Sequence, residues 1–440
     1  MKDNRFVKLV DNKIQLSRDP GLGDPVSTKL HDQVQQSLPK IRIEDLISEI
    51  DKETRFSQAF KHHSTHEPLD ESRKHILYAS LIAHATNIGV SGMASASEGI
   101  SVDMLEDICK GYQSAHCVRE AIRIVNNYQA TLEAGNVWGD GSMSSSDGQM
   151  FRVHGKSLHV EYHPRRFGVR RGINVVTHQS DREVVLATIV LACSKREWHA
   201  VLDGLLGNNS VISPKIHTTD THGYSDHLFA LCWLLDIVFA PRLKDAGDSR
   251  LWLPNLFEAG DLTPIFEERR ISLSNLSDHW EPVQRIVSAL KQGLINGQTV
   301  TMRLANASGD PVANALLDLG RLVKTTFLLR WMRDKEFRQS LHAQLNKGES
   351  RHFLARSVNF ASGTGYRSAD PLDLMHRTSI LSLMCNIIVT WNTIAIGNLI
   401  NSMKSSAAIE NDLDISSISP LICGHIARTG TYRFKQEVAQ

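Results

Sequence analysis

Ser144-Ser145-Ser146-Asp147-Gly148 is the stretch on which the fold turns. It lies in a segment, 137–149, rich in Gly, Ser and Asp, where a helical pattern gives way to strand-like runs. Downstream, 158–162, 173–177 and 184–191 read as strands. The first alternates, with Leu158, Val160 and Tyr162 on one face, and the third is a largely apolar run, as a central strand is. A helix over 195–206, a short strand over 215–219 ending at Asp220, and a helix over 226–235 follow. Antiparallel strands followed by strand–helix–strand make this segment mixed, so the fold class is α/β.

Outward from it, the chain is helical on both sides. Residues 1–37 read as a polar leader, with turn chemistry in Asp19-Pro20-Gly21-Leu22-Gly23-Asp24-Pro25. From Leu38 to about Tyr128 the apolar residues fall near the 3.6 period: Ile41, Ile43, Leu46, Ile47 and Ile50, then Ile76, Leu77, Leu81 and Ile88, then Met104, Ile108 and Tyr112, then Val118, Ile122 and Val125. Helix returns over 241–345, clearest at 280–293 and 313–331. Residues 378–403 carry no charge, yet Ser382, Asn386, Thr390, Asn392, Thr393 and Asn398 interrupt them. Asn at the centre of a membrane span is costly, so this stretch reads as a buried helix and no membrane is a partner.

The chain has 440 residues, which is room for two to three domains. Hydrophobic residues make up 41% and charged residues 22%, which excludes wholesale disorder. Lys and Arg number 49 against 48 Asp and Glu, so a uniformly basic coat is excluded while a local basic face is not. No apolar signal region follows Met1-Lys2-Asp3-Asn4-Arg5, and no two of the six cysteines stand at C-x-x-C spacing. Both features point to a reducing cytoplasm.

Nucleophile and phosphate-cradle motifs fall short. There is no G-x-S-x-G elbow. Gly155-Lys156-Ser157 has the wrong spacing from Gly148 for a P-loop and leads into a strand. Gly363-Thr364-Gly365 is a lone glycine pair. His62-His63-x-x-His66 has metal-ligand types but lies in a polar loop with no fourth ligand nearby.

Three carboxylates carry more. Asp147 follows the serine run, Asp220 ends a strand, and Glu349 sits in Asn346-Lys347-Gly348-Glu349-Ser350-Arg351, opening a helix. Taken singly, an Asp among Ser and Gly is a turn residue, and a Glu in a first helical turn answers the helix dipole. Together they suit hard cations such as Mg²⁺, two of which about 4 Å apart clamp the attacking and leaving oxygens of a phosphoryl transfer. His352 and Arg356 share the helix face of Glu349, flanked by Arg351 and Lys347, and cations there suit a phosphodiester. A second basic cluster, His163, Arg165, Arg166, Arg170 and Arg171, contains no acid; it is either a solvated loop or a DNA-backbone contact.

At these residues the chain closely resembles the catalytic C-terminal half of the Tn-three family of replicative transposases. The matching blocks include Leu38-Pro39-Lys40-Ile41-Arg42-Ile43, Trp138-Gly139-Asp140-Gly141-Ser142 through Gly148, Val201-Leu202-Asp203-Gly204-Leu205-Leu206 and Phe239-Ala240-Pro241-Arg242. Leu319-Gly320-Arg321, Leu345-Asn346-Lys347-Gly348-Glu349, Leu354-Ala355-Arg356, Trp391-Asn392-Thr393 and Ile418-Ser419-Pro420 continue the series. The resemblance implies a ribonuclease H-like (retroviral integrase-like) catalytic core interrupted by a helical insertion domain, with flanking helical regions. The implied layout is a helical region at 38–136, the first part of the core at 137–240, the insertion at 241–340, the Glu-bearing core helix at 341–370 and a C-terminal helical region at 371–440.

The resemblance also implies a DDE triad of Asp147, Asp220 and Glu349 binding two Mg²⁺ or Mn²⁺ ions. Asp140 competes for the first place, and the family pattern, with its metal aspartate after the serine run, favours Asp147. The implied activity is metal-dependent cleavage at transposon 3′ ends and strand transfer into target DNA, with no protein nucleophile. Arg165, Arg166, Arg170, Arg171, Lys347, Arg351 and Arg356 would contact DNA. Family members are much longer and carry readers of the terminal inverted repeats in their N-terminal half. The expected partners are therefore transposon-end and target DNA, a second copy in a homodimer, and a separate DNA-recognition half; the expected place is the bacterial cytoplasm, at the nucleoid. The alternative is a truncated remnant or split-transposase subunit that only dimerises and binds DNA.

Overall fold

The computed structural model describes residues 7–10, 13–17, 32–221, 223–243, 249–405 and 418–434. The Pro/Gly turn at 19–25 lies outside them. The stretch read as a polar leader holds, among its described residues, an antiparallel hairpin of Val7–Val10 and Lys13–Leu16. Val7 and Ile14 of that hairpin are buried, so it is not a solvated leader throughout.

The central sheet contains Met143–Val153 (β1), Arg171–Ser180 (β2), Val185–Ala192 (β3), Ile216–Thr219 (β4) and Val238–Phe239 (β5). β2 pairs antiparallel with both β1 and β3; β4 lies parallel to β1, and β5 parallel to β4. The order across the sheet is therefore 3-2-1-4-5. The serine run thus forms the central strand rather than a turn. Low β-propensity hides such a segment in sequence, but ladders on both sides and buried, hydrogen-bonded hydroxyls hold it extended. Ser144 and Ser146 bracket the His217 ring, at 2.8 and 3.1 Å, and Ser145 accepts a bond from Gln344 at 3.0 Å.

The strand read at 158–162 is corrected. Only Glu161–Tyr162 pairs, against the start of β2. Leu158 is 90% exposed while Val160 is buried, so the three alternating residues do not share a face.

Helices surround the sheet where periodicity placed them: Ile43–Thr54, Lys74–Thr86, Val102–Gly111 and Ala115–Thr131 before it, and Trp280–Lys291 and Pro311–Arg333 after it. Gly89–Ala96 is an additional helix. Side-chain caps set several starts. Ser101, Ser114, Ser225, Asn296 and Asp310 each accept a backbone N–H from the first turn, and Pro311 occupies the first turn after Asp310. One core joins the N-terminal helices to the sheet and to the helix Pro371–Ser405; a second joins Trp198–Leu206 and Asp226–Leu234 to the helices around 280–341.

Pro371–Ser405 is long and apolar enough to cross a membrane, but most of it is buried inside the protein, as its interrupting polar residues require. Asn386 bonds both backbone groups of Val185, and Asn392 donates to the Pro420 and Ile422 carbonyls. Ile426–Ala427 pairs parallel with Ile41–Arg42, tying the tail to the first helical region.

Candidate active site

Two features of the sheet bring Asp147 and Asp220 together. The β1–β4 ladder ends at the pair Ser146–Thr219, so each aspartate is the next residue on neighbouring strands. Neighbouring strands lie about 4.8 Å apart, so the two carboxyls stand at one level at the edge where β4 stops. Period two puts Ser145, Asp147 and Gln149 on one face of β1. The helix Lys335–Val358 covers that face: Gln344 bonds Ser145, Gln149 donates to the His352 carbonyl at 3.4 Å, and a Cβ on Gly348 would lie 3.6 Å from Asp147 Oδ2.

Glu349 rides on this helix, but not at its start. The helix begins at Lys335, capped by Asp334 accepting from Phe337 N at 2.9 Å. Asn346-Lys347-Gly348 looks like a helix opening because Asn and Gly are poor helix formers; burial of Gly348 against Asp147 overrides that propensity. The helix-dipole explanation of Glu349 therefore fails, and its exposed side chain has no terminus to answer.

Asp147 is partly buried and repelled. Its pKa is pushed up to about 6, chiefly by burial, then by the charge of Asp220, with a smaller push from Glu349. The Gly148 N–H, donated to Oδ1 at 2.8 Å, and the nearby Arg351 work in the opposite direction. His352 Nδ1 is 3.6 Å from Asp147 Oδ2, but burial holds the imidazole near pKa 3, so it offers no positive charge at neutral pH. Asp140, by contrast, sits in the turn before β1, accepts from Ser142 N, and has its pKa lowered by that bonding. Of the two candidates it is Asp147 whose charge is coupled to Asp220 and Glu349.

A fourth carboxylate joins them, which no spacing rule pointed to. Glu197 precedes the helix Trp198–Leu206, and its pKa is pushed up to about 7 by burial and by the charges of Asp147 and Asp220. In sequence it is one acid beside Lys195 and Arg196, and only the sheet register brings it to the cluster. The donor set, partly buried carboxylate oxygens with Glu349 at the exposed rim, suits a hard divalent cation. Among the described residues, however, no three His, Cys, Asp or Glu side chains converge closely enough to enclose an ion. The His62, His63 and His66 loop is no exception.

The seven cations separate into two groups. Arg165, Arg166 and Arg170 are exposed in the connection between β1 and β2, Arg171 stacks 4.3 Å from the Tyr162 ring, and Arg356 is exposed on the Glu349 helix. Lys347 and Arg351 turn inward. Lys347 donates to the Trp138 and Asp181 carbonyls at 2.8 and 2.7 Å and stands 3.7 Å from Glu183. Arg351 is 2% exposed, with Nε and Nη1 lacking a hydrogen-bond partner. Neither presents its charge to a DNA backbone in this conformation. Lys347 instead anchors the Glu349 helix to the β2–β3 turn. Arg182 plugs that same turn into carbonyls of Gln129 and Leu132, at 3.0 and 2.9 Å.

Comparison with known proteins identifies the family. Residues 45–432 match the family described as Tn3 transposase DDE domain. The transposase for transposon Tn3926 of Escherichia coli is 32% identical over 92% of this chain and 41% of its own length. The transposase for Tn501 of Pseudomonas aeruginosa gives the same figures. The transposase for transposon gamma-delta of Escherichia coli K12 is 30% identical over 98% of this chain and 43% of its own. The chain thus spans less than half the length of these relatives. A match over most of the sequence makes this chain a member of the Tn3 transposase DDE-domain family.

Proposed function

We propose that the chain is the catalytic half of a replicative transposase, built on a ribonuclease H-like core with a helical insertion over 241–340. Strand order 3-2-1-4-5, with only β2 antiparallel to its neighbours, supports that fold reading. The observation that carries the functional reading is the register, which sets Asp147 beside Asp220 under the helix bearing Glu349.

On this reading Asp147, Asp220 and Glu349 hold two Mg²⁺ or Mn²⁺ ions. The ions would supply activation of water and neutralisation of charge at phosphorus. The chain's own part is positioning. Asp147 is fixed by the Gly148 N–H and by the packed helix, and Asp220 by the end of β4. Glu349 is free to turn from solvent toward the aspartates. A water oxygen bonds to phosphorus at the transposon end, and the ester oxygen leaves as a 3′-hydroxyl with a proton. That hydroxyl then attacks a target phosphodiester and displaces another 3′-oxygen, so phosphodiester bonds are exchanged rather than lost. Arg165, Arg166, Arg170 and Arg356 are the cations free to hold DNA phosphates; transposon ends and target are the substrates, and a homodimer in the bacterial cytoplasm is the working form.

The test is strand transfer with Mg²⁺ or Mn²⁺ in an assembly supplied with an inverted-repeat-reading partner. Asp220→Asn should lower product at least a thousandfold while leaving the fold intact; undiminished product would sink the assignment. A second reading rests on coverage, since the chain corresponds to less than half of each relative quoted. In that reading it is a remnant or split subunit that only binds DNA and dimerises. Strand-transfer product from this chain, alone or with the recognition partner, removes the binding-only reading.

A further inference from the structure

Glu197 approaches β1 from the side opposite the Glu349 helix. The side chains of Asp147 and Gly148 point to opposite faces of the strand. A Cβ on Gly148 would collide with Glu197 Oε1 and lie 2.7 Å from Asn174 Oδ1. The glycine therefore leaves a cradle that two oxygens fill, and no other residue fits there without displacing them. Asn174, on β2, is 2% exposed. Its Nδ2 donates to Glu197 Oε1 at 2.9 Å, while its Oδ1 has no hydrogen-bond partner. An amide oxygen buried without a donor is costly unless something positive completes it. The parallel ladder of β1 with β4 stops at Ser146, and at the edge where it stops Glu197 feels the charges of both aspartates. Acceptor oxygens thus stand on both faces of β1, Asp147 on one and Glu197 with Asn174 Oδ1 on the other.

We propose that Glu197, with Asn174 Oδ1 beside it, forms the far wall of the divalent-cation site that Asp147 and Asp220 open, and binds the cation as a fourth carboxylate. The inference rests on the metal-dependent reading of the aspartates. It adds a residue outside the triad and explains why glycine follows Asp147.

The probe is Mn²⁺ alone, titrated into the full chain by calorimetry, with melting temperature followed in parallel. Glu197→Gln should weaken Mn²⁺ binding by about tenfold or more, as loss of a site carboxylate does. In chelator the same variant should melt higher than wild type, because a repelled, dehydrated charge is gone. A Glu197 that merely braces Asn174 gives the opposite pair: a lower melt in chelator and unchanged Mn²⁺ affinity, which overturns the proposal. Gly148→Ala is the second variant. It pushes Glu197 out without removing a carboxylate, so it should weaken Mn²⁺ binding as well, and unchanged affinity counts against the proposal. Asp147→Asn separates the two readings. If it abolishes Mn²⁺ binding while Glu197→Gln and Gly148→Ala leave it intact, only the Glu197 role fails. If wild type binds no Mn²⁺, both fail.

Discussion

At the scale of single residues, the site is organised by side chains that never touch substrate. Lys347 is the clearest. Its position two residues before Glu349 makes it look like a DNA contact, yet its ammonium is spent on the Trp138 and Asp181 carbonyls and on Glu183. Glu183 is 3% exposed, and burial pushes its carboxyl up to about 7, against an ordinary 4.5; Lys347 works to bring it down. The folded state therefore holds the Glu183 proton more tightly than the unfolded chain does. Its contribution to stability is fully present below about pH 4.5 and is lost as pH rises through about 7. Lys347→Met removes the only compensating charge this carboxylate has on the Glu349 helix. At pH 5, where Glu183 is largely protonated, the cost should be that of the two lost carbonyl bonds. At pH 8 an uncompensated buried carboxylate is added, bringing the loss to about 3–5 kcal/mol. Urea unfolding at the two pH values checks this; equal losses at both would assign Lys347 no electrostatic part in the fold.

At the scale of elements, what was legible in sequence divides cleanly by mechanism. Helices with a sustained apolar period, such as Ile43–Thr54 and Pro311–Arg333, could be read because one buried stripe decides them. The strand Met143–Val153 could not. Its pairing on both sides, rather than its own residues, makes Ser144, Ser145 and Ser146 extended, and pairing is invisible to a window of sequence. The start of the Glu349 helix is illegible for the same reason, since tertiary contact at Gly348 outweighs local propensity. Asp147, Asp220 and Glu349 stand out in sequence as carboxylates suited to hard cations and gain their triad reading from the family blocks, whereas Glu197 belongs to no block and emerges only from the register. The polar residues of Pro371–Ser405 mark a buried helix in sequence, and their geometry shows what they do. Asn386 accepts the Val185 N–H and donates to the Val185 carbonyl, each at 2.8 Å, and also donates to Asn126 at 2.7 Å. It thus pins the first residue of edge strand β3 to the helix. Asn386→Leu should leave the Val185 N–H and the Asn126 oxygen without partners and cost about 2 kcal/mol or more, despite the added apolar volume. A lower urea midpoint at unchanged slope is expected; a raised midpoint would mean that the helix gains more from apolar contact than from this clamp.

At the scale of the whole molecule, charge is nearly balanced, at +1, so long-range attraction of DNA is slight and affinity must come from local cations. Of the seven proposed contacts, Lys347 and Arg351 are turned inward, which leaves the loop before β2 and Arg356. Arg165, Arg166 and Arg170 are exposed there, beside Leu158 and Val169, each 90% exposed. Such contacts go to phosphates, and each neutralised phosphate steepens the fall of log affinity with log salt by about 0.9 for duplex DNA without reading a base. The isolated chain should therefore bind duplexes weakly, with strong salt dependence, and almost equally for inverted-repeat and scrambled sequences. Reversing Arg165, Arg166 and Arg170 to Glu should flatten the salt slope by about 2–3 and lower affinity equally for both duplexes. A stably folded Arg351→Met variant should leave the slope unchanged, because that guanidinium is not offered to solvent. Titrations of both duplexes at two or more salt concentrations measure all of this together. Tight binding with a strong preference for the inverted repeat would instead place a base-reading element within this chain. A slope that fell with Arg351→Met would mean that the Glu349 helix turns outward when DNA is bound, carrying the buried arginine to the phosphates.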